Sequence, residues 1–541
     1  MRMRSKTLHE KLSVASVAIV LAIVTACNPA PKYAKPPAPT PQAFKEAIPQ
    51  EYKEGQGWKL ATPDDDKIRG NWWEVYNDPQ LNALEEQVAL SNQSLKVSEA
   101  NFRAARALVA NVRSGLFPLV GAGASYSNSR ISATARNAIV TGGSSTPGGT
   151  TTGAAGGGSS PVVNTFSVPF DVSYEVDLWH RVRNMIAANS FQAQASAADI
   201  ATSQLSLQSQ LAQDYFQVRA LDAQRQILTD TVENYRKALA LNQVLFRGGI
   251  ASDEEVSQAQ TQLDTATAEL TDLGVARAQY EHAIATLIGK PAATFELSVG
   301  EFVPRPPGIP VALPSELLER RPDIAAAERQ VAAANAEIGV AKAAYYPTLS
   351  LSASAGFQTA HALEWFNWPS RFWSVGTTMS QTVFDGGLRR AQVAQAQASY
   401  EGTVANYRQT VLTAFQGVED QLAALRILSN EIEQQHTAVA SANHYLDLSL
   451  TRYRAGVDSY LNVIAAQNAV LTNRVTELQI ELRQMVASVS LVMDLGGGWD
   501  PSRLPTVHDV THISKAVPDQ GSVKAQAVAA PNPPPLPAPA K

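Results

Sequence analysis

A single cysteine, Cys27, stands among 541 residues, so no internal disulfide can staple the chain. Long apolar runs are missing after the N-terminus. None there reaches the roughly 18 residues that a membrane-crossing helix needs, which leaves a β-barrel as the only route through a bilayer. Excess charge is missing too. Lys+Arg 44 against Asp+Glu 49 gives a formal net charge of -5, which offers nothing to nucleic acid. The 8 histidines are scattered, and His508 and His512, at helical spacing, lie next to a Pro-rich tail that reads as solvated loop. No G-x-x-x-x-G-K phosphate loop, G-x-S-x-G elbow or H-E-x-x-H pair occurs. The reading therefore holds no catalytic residue, no metal site and no enzyme. What the chain has in quantity is Ala, Gln and Ser along its central segments, a composition that suits long, closely packed helices.

The N-terminus is an export signal. Arg2, Arg4, Lys6 and Lys11 precede the apolar run Leu12 to Val24, and small residues follow, as in a secretory signal peptide. The run ends in Val24-Thr25-Ala26-Cys27, which resembles the bacterial lipobox and implies a covalent lipid on Cys27, with no other cofactor. A non-acylated signal peptide that happens to contain a cysteine is the alternative. Asn28 follows, and no Asp holds that place; in lipoproteins of this pattern that permits sorting to the outer membrane. Lys32 to Pro41 is Pro-rich and reads as an extended tether.

The body is a duplication. Phe246-Arg247-Gly248-Gly249-Ile250 recurs as Tyr453-Arg454-Ala455-Gly456-Val457, Asp177 with Arg181 as Asp385 with Arg389, and Leu116-Phe117-Pro118 as Tyr345-Tyr346-Pro347. The order is kept, and the one change in spacing falls where the first copy carries the Gly/Ser/Thr-rich stretch Thr141 to Ser160.

Four segments between these landmarks alternate with period two. Phe166, Val168, Phe170, Val172, Tyr174 and Val176 interleave with polar residues, as do Leu349 to Phe357 and Trp373 to Val383, with a weaker first strand at Val120, Ala122, Ala124 and Tyr126. One apolar face and one small polar face is the pattern of a lipid-facing, water-lined barrel strand. Trp365, Phe366, Trp368, Phe372 and Trp373 suggest an interfacial aromatic girdle. Two half-buried hairpins of a soluble domain would show the same alternation. Four strands cannot close a barrel, so they must be shared, and three copies would supply about twelve.

The remaining long segments, Arg181 to Phe246 and Leu388 to Arg454, lack proline and carry apolar residues at helical steps. Each would reach roughly 100 Å. Each ends at a Gly suited to positive φ, Gly249 or Gly456, and returns as a second helix, Ser252 to Ile288 or Leu461 to Leu495.

Taken in order, these features resemble the TolC-like outer-membrane efflux proteins, in particular the lipoprotein (NodT-type) branch serving resistance–nodulation–division (RND) pumps. Trp72-Trp73, Asp78-Pro79 with Leu81, Leu84 and Asn92, then Arg321-Pro322-Asp323-Ile324 with Ala327-Glu328, and finally Leu495-Gly496-Gly497-Gly498-Trp499 carry the resemblance over residues 70 to 499. It implies a mixed α and β fold: a homotrimer whose shared outer-membrane β-barrel continues into a long periplasmic α-helical barrel. It also implies a periplasmic adaptor, an inner-membrane RND-type pump, and passive conduction of substrates to the exterior. The division expected is a signal peptide over 1–26, a lipidated tether over 27–70 and a first repeat over 71–289, with a β-hairpin near 119–177 and a helical hairpin near 180–289. A linker over 290–321 leads to a second repeat over 322–499, with hairpins near 348–385 and 387–495, and a disordered tail over 500–541.

The family closes its periplasmic end just after the second Gly tip. Aligned on Gly456, those places are Leu461, Asn462, Ala465 and Asn468, none acidic, with Leu461 expected as the narrowest ring. Asp253, Glu254 and Glu255 after the other tip either charge the mouth or only complement a helix start. Arg247, Gly248, Gly249, Arg454 and Gly456 are the expected adaptor contacts. Two other readings remain open: a duct for ABC-type protein secretion, and a periplasmic coiled-coil structural or adaptor lipoprotein.

Overall fold

The computed structural model describes residues 28–41, 44–46, 71–130, 162–309 and 319–511. The signal peptide, Cys27, the stretch 141–160, His512 and the rest of the tail lie outside them.

Helices α1 (Pro79–Ser91) and α2 (Gln93–Ser114) lead into strands β1 (Leu119–Ala122), β2 (Ser125–Arg130) and β3 (Val162–Val176). Two long helices follow, α3 (Arg181–Arg247) and α4 (Asp253–Leu287). The plan then repeats with α5 (Pro322–Ala343), β4 (Thr348–Thr359), β5 (Arg371–Ser380), α6 (Leu388–Arg454) and α7 (Tyr460–Asp494), and a short α8 (Val507–Thr511) ends the described chain. Both α3 and α6 have 67 residues, and α4 and α7 both have 35. Among the described residues no helix is long and apolar enough to cross a membrane.

The strands form one antiparallel sheet in which β1 and β2 share β3 as partner, followed by β4 and β5. β1 and β2 pair with β3 in a single register, Ala122 facing Phe170 and Ser125 facing Ser167. They are one strand interrupted. Gly123 donates to the Pro169 carbonyl at 3.1 Å, but proline has no N–H to return the bond. On the other side of β3, Pro169 faces Gly356. A Cβ on Gly356 would stand 2.1 Å from the Val168 carbonyl oxygen, so only glycine lets β4 approach there. β5 ends at Ser380, short of the Val383 limit expected from alternation.

The register sorts the faces. Val120, Val172, Ala353 and Val375 share one, and Gly121, Asp171, Ser354 and Ser374 share the other. At the end far from the helices, Trp365 packs on Phe166 (5.3 Å) and Phe366 on Phe357 (5.7 Å), and Arg371 lies 3.6 Å over Trp368. Phe372 departs from the expected girdle. It pairs with Gly356, so it stands on the polar face, opposite to Trp373.

Each long helix starts on a repeated aspartate. Asp177 accepts from Val182 N (2.9 Å) and Arg183 N (3.0 Å), and Asp385 from Gly387 N (3.0 Å) and Arg389 N (3.3 Å). These bonds satisfy N–H groups that a helix start leaves without partners. The basic partners differ: Arg389 pairs with Asp385, whereas Arg181 pairs with Glu175.

The main core lies midway along the helices. Trp72, Tyr215, Ile288, Tyr407, Leu422 and Val489 belong to it, all almost fully buried. At 1.5 Å per residue, α3 and α6 each run about 100 Å through it. α2 and α5 accompany them toward the sheet, and α4 and α7 accompany them to the opposite end.

Parts of the extended tether and of the tail are docked on the helices. In the tether, Asn335 donates to the Pro31 carbonyl (2.9 Å), Tyr33 donates to Glu328, and Glu46 pairs with Arg426 (2.7 Å). In the tail, Pro501–Arg503 forms a 3-10 turn and Val510 is fully buried against Val109 and Ala193. Gln194 donates to the Pro505 carbonyl (2.9 Å) and Arg113 to that of Thr511 (2.7 Å). Disorder over the whole of 500–541 is therefore corrected for 501–511: one apolar anchor and these side-chain bonds hold a segment whose composition alone suggests none.

Candidate functional site

The two helical hairpins end side by side, and the residues that close them are the expected tips. Gly249 takes φ 72° and Gly456 φ 70°. Around Gly249, Gly249 N donates to the Phe246 carbonyl (2.9 Å) and Ile250 N to that of Leu245 (2.9 Å). Around Gly456, Gly456 N donates to Tyr453 (2.9 Å) and Val457 N to Arg452 (3.0 Å). Both are Schellman closures, which need a residue in the left-handed region. Arg247, Gly248, Gly249, Arg454 and Gly456 are all exposed.

A small core locks the tips together. Leu239 and Ala259 of the first hairpin pack with Tyr460, Val463 and Ile464 of the second. The Tyr453 hydroxyl donates to the buried Asn242, and the rings of Tyr453 and Tyr460 lie 5.4 Å apart. Burial pushes the Tyr460 and Tyr235 phenols up to about 12, so both remain neutral.

Leu461, Asn462, Ala465 and Asn468 are exposed, while Val463, Ile464, Ala466 and Gln467 between them are buried. The four candidates thus occupy one stripe on the first three turns of α7, Leu461 being 60% exposed. The stripe is not free of partners. Tyr235 donates to Asn468 at 3.2 Å, and Asn462 donates to Asp458. Of the acidic triplet, Glu255 closes a capping box with Ser252 (3.2 and 3.3 Å) and Glu254 accepts from Gln258 (3.1 Å). Only Glu255 is thereby tied to the helix start, and Asp253 and Glu254 are exposed beside it.

A sequence model described as "Outer membrane efflux protein" matches residues 84–290 and 313–497, well over half the chain. The chain belongs to the outer membrane efflux protein family. It is an outer-membrane component of an efflux system with a TolC-like fold. Similar curated proteins include the pyoverdine export outer membrane protein OpmQ of Pseudomonas aeruginosa, 31% identical over 80% of this chain and 88% of that protein. Outer membrane protein OprJ of the same species is 30% identical over 91% and 97%. The toluene efflux pump outer membrane protein TtgC of Pseudomonas putida is 29% identical over 90% and 96%. Among solved structures, the outer-membrane channel OprN superposes with a TM-score of 0.74 at 27% identity, covering 88% of this chain and all of that one. The Campylobacter jejuni CmeC channel matches in fold at a TM-score of 0.76, with 22% identity over 89% and 97%.

Within this efflux protein, sequence reasoning missed Asp458. It lies two residues past Gly456 and accepts from Asn462, from Ser459 N (2.9 Å) and from Arg452 (3.2 Å). These bonds, that from Asn462 foremost, hold its carboxyl below the usual carboxylate range. The signal available was an acid two residues past a helix-closing glycine, a position from which it can receive the N–H of the residue that caps the next helix.

Proposed function

We propose that three copies of this efflux protein assemble into one continuous duct, a shared barrel of about twelve strands above a helical tube. The carrying observation is a sheet with one apolar face and, among the described residues, two open edges, β1/β2 on one side and β5 on the other. In lipid an open edge leaves N–H and C=O groups without partners, each costing several kcal/mol, so the edges must meet between copies. Leu412, Ile427 and Leu448 of α6, each about half exposed, are apolar surface that a neighbouring copy would cover.

Leu461, Asn462, Ala465 and Asn468 then line the periplasmic aperture, repeated threefold, with Leu461 as its apolar ring. Asp253, Glu254 and Glu255 give the mouth its negative charge, Glu255 while also capping its helix. The tips around Arg247, Gly248, Gly249, Arg454 and Gly456 receive a periplasmic adaptor, which joins the duct to an inner-membrane RND-type pump. The duct itself conducts passively. A lipid on Cys27 is the remaining attachment. Asn28, the next residue, exchanges hydrogen bonds with Asn184 just below β3 (3.1 Å and 3.4 Å), which supports anchoring at the periplasmic rim of the sheet.

Photo-crosslinking residues placed at the exposed Arg247 and Arg454 in intact cells, followed by mass spectrometry of the captured chains, test this assignment. An adaptor of an RND pump is the expected capture. Capture of an ABC exporter's adaptor would move the same duct to protein secretion.

A further inference from the structure

We infer that Asp171 sets a cation preference inside the barrel itself; the inference rests on the trimeric duct proposed above. The apolar face of the sheet must meet lipid and the other face water, which fixes what the lumen sees. On the polar face, the strands present Ser125, Ser127, Thr165, Ser167, Ser350, Ser352 and similar small residues. Among the described residues only two charged side chains stand on this face, Asp171 and Glu175. Glu175 is neutralised by a bidentate pair with Arg181 at 2.8 to 3.0 Å. Asp171 has no such partner among the described residues. Its neighbours at the same level of the sheet are Gly121 on one side and Ser354 and Ser374 on the other. Among the described residues it makes no ion pair and no hydrogen bond, and it is exposed.

Threefold symmetry places three Asp171 carboxylates at one height around the lumen, with no basic side chain on the described polar face to offset them. Low-dielectric walls focus the field of such a ring into the water between them and raise the local cation concentration. The barrel therefore passes cations and cationic substrates in preference to anions, whatever the periplasmic end admits. The effect is long-range and screened: the Debye length is about 30 Å at 0.01 M salt and about 3 Å at 1 M. Strong selectivity at low ionic strength that fades at high salt is the signature of a ring lining a wide pore.

The test is the reversal potential of the purified full-length protein in planar bilayers under a KCl gradient. Wild type is expected to be cation-selective in dilute salt. Asp171→Asn should lower the cation-to-anion permeability ratio by about threefold near 0.01 M and leave it unchanged near 1 M. Asp171→Glu should retain the wild-type ratio, and Asp171→Lys should favour anions. A normal channel whose reversal potential is the same in Asp171→Asn, Asp171→Lys and wild type overturns the inference while leaving the duct intact. Wild-type protein that forms no channel at all overturns the duct reading, and the inference with it.

Discussion

Tyr453 of α6 donates its hydroxyl to Asn242 of α3, so the end of one helical hairpin is fastened to the end of the other. Asn242 is fully buried, and its own amide donates to the Ala238 carbonyl at 3.1 Å. Tyr453→Phe removes the donor and leaves a buried acceptor unsatisfied, which costs about 1–3 kcal/mol. The loss is local, because the main core lies farther along the helices. Amide exchange over residues 239–246 and 453–464 should speed up by about tenfold or more, with exchange around Tyr215 and Tyr407 unchanged. Identical tip exchange in the variant would mean that packing alone holds the hairpins together.

Leu461 is the one large apolar residue on the exposed stripe of α7. Its neighbours Asn462, Ala465 and Asn468 are polar or small, so it alone can close an aperture by excluding water. Leu461→Ala is expected to raise single-channel conductance and to let large antibiotics leak into cells. Fold stability should hardly change, since the side chain is 60% exposed. Wild-type conductance and leakage in this variant would take Leu461 out of the gate.

The tip glycines are needed for their backbone alone. A Cβ added at Gly249 or Gly456 would meet no atom within 4 Å, yet both sit at positive φ. A side chain there costs about 1–2 kcal/mol in the left-handed region, less for Asn, which tolerates that conformation. Limited proteolysis at the tips should therefore rank Gly456→Val most sensitive, then Ala, then Asn, then wild type. Equal cleavage across the series would show that the Schellman closures do not govern tip order.

Much of this architecture is legible in the sequence, for local reasons. α3 and α6 are long because nothing in them breaks a helix, and the strands announce themselves by alternation. Gly249 and Gly456 are legible because a helix C-terminus has a chemical signature. What escapes is whatever depends on distant pairing. The contact of Tyr33 with Glu328 spans 295 positions, and neither residue carries a pattern that predicts it. The break between β1 and β2 is set by Pro169 on the facing strand, not by Gly123 alone. Asp458 looks like an ordinary surface acid until the turn closes and brings Arg452 and Asn462 to it.

A similar long-range fit governs Gly339 in α5. A Cβ there would lie 2.5 Å from the Ala30 side chain and 2.7 Å from the amide nitrogen of Asn184. Gly339→Ala should improve helix propensity by about 1 kcal/mol but displace the N-terminal strap, an overpacking penalty of about 1–3 kcal/mol. Faster proteolysis within residues 28–46, with the helices left intact, is the expected result. An undisturbed strap would mean that Ala30 can give way without losing the Asn28–Asn184 bonds.

The carboxyl of Asp458 gives the tip a defined acid limit. The hydrogen bond from Asn462, then those from Ser459 and Arg452, lower its pKa in the folded protein. A depressed folded value means that its contribution is fully present above the unfolded carboxylate pKa of about 3.9. The contribution is lost as pH falls through the folded value. Glu255, whose charge after burial itself helps raise the Tyr453 phenol, is another acid near this joint, beside Asp253 and Glu254. Conductance should therefore stay constant from neutral pH down to about 4 and rise below it, as Asn462 and Arg452 are released from Asp458. Asp458→Asn should show the raised conductance already at neutral pH and lose the acid step, whereas Glu255→Gln should keep that step. An acid transition that survives in Asp458→Asn would take Asp458 out of the acid limit.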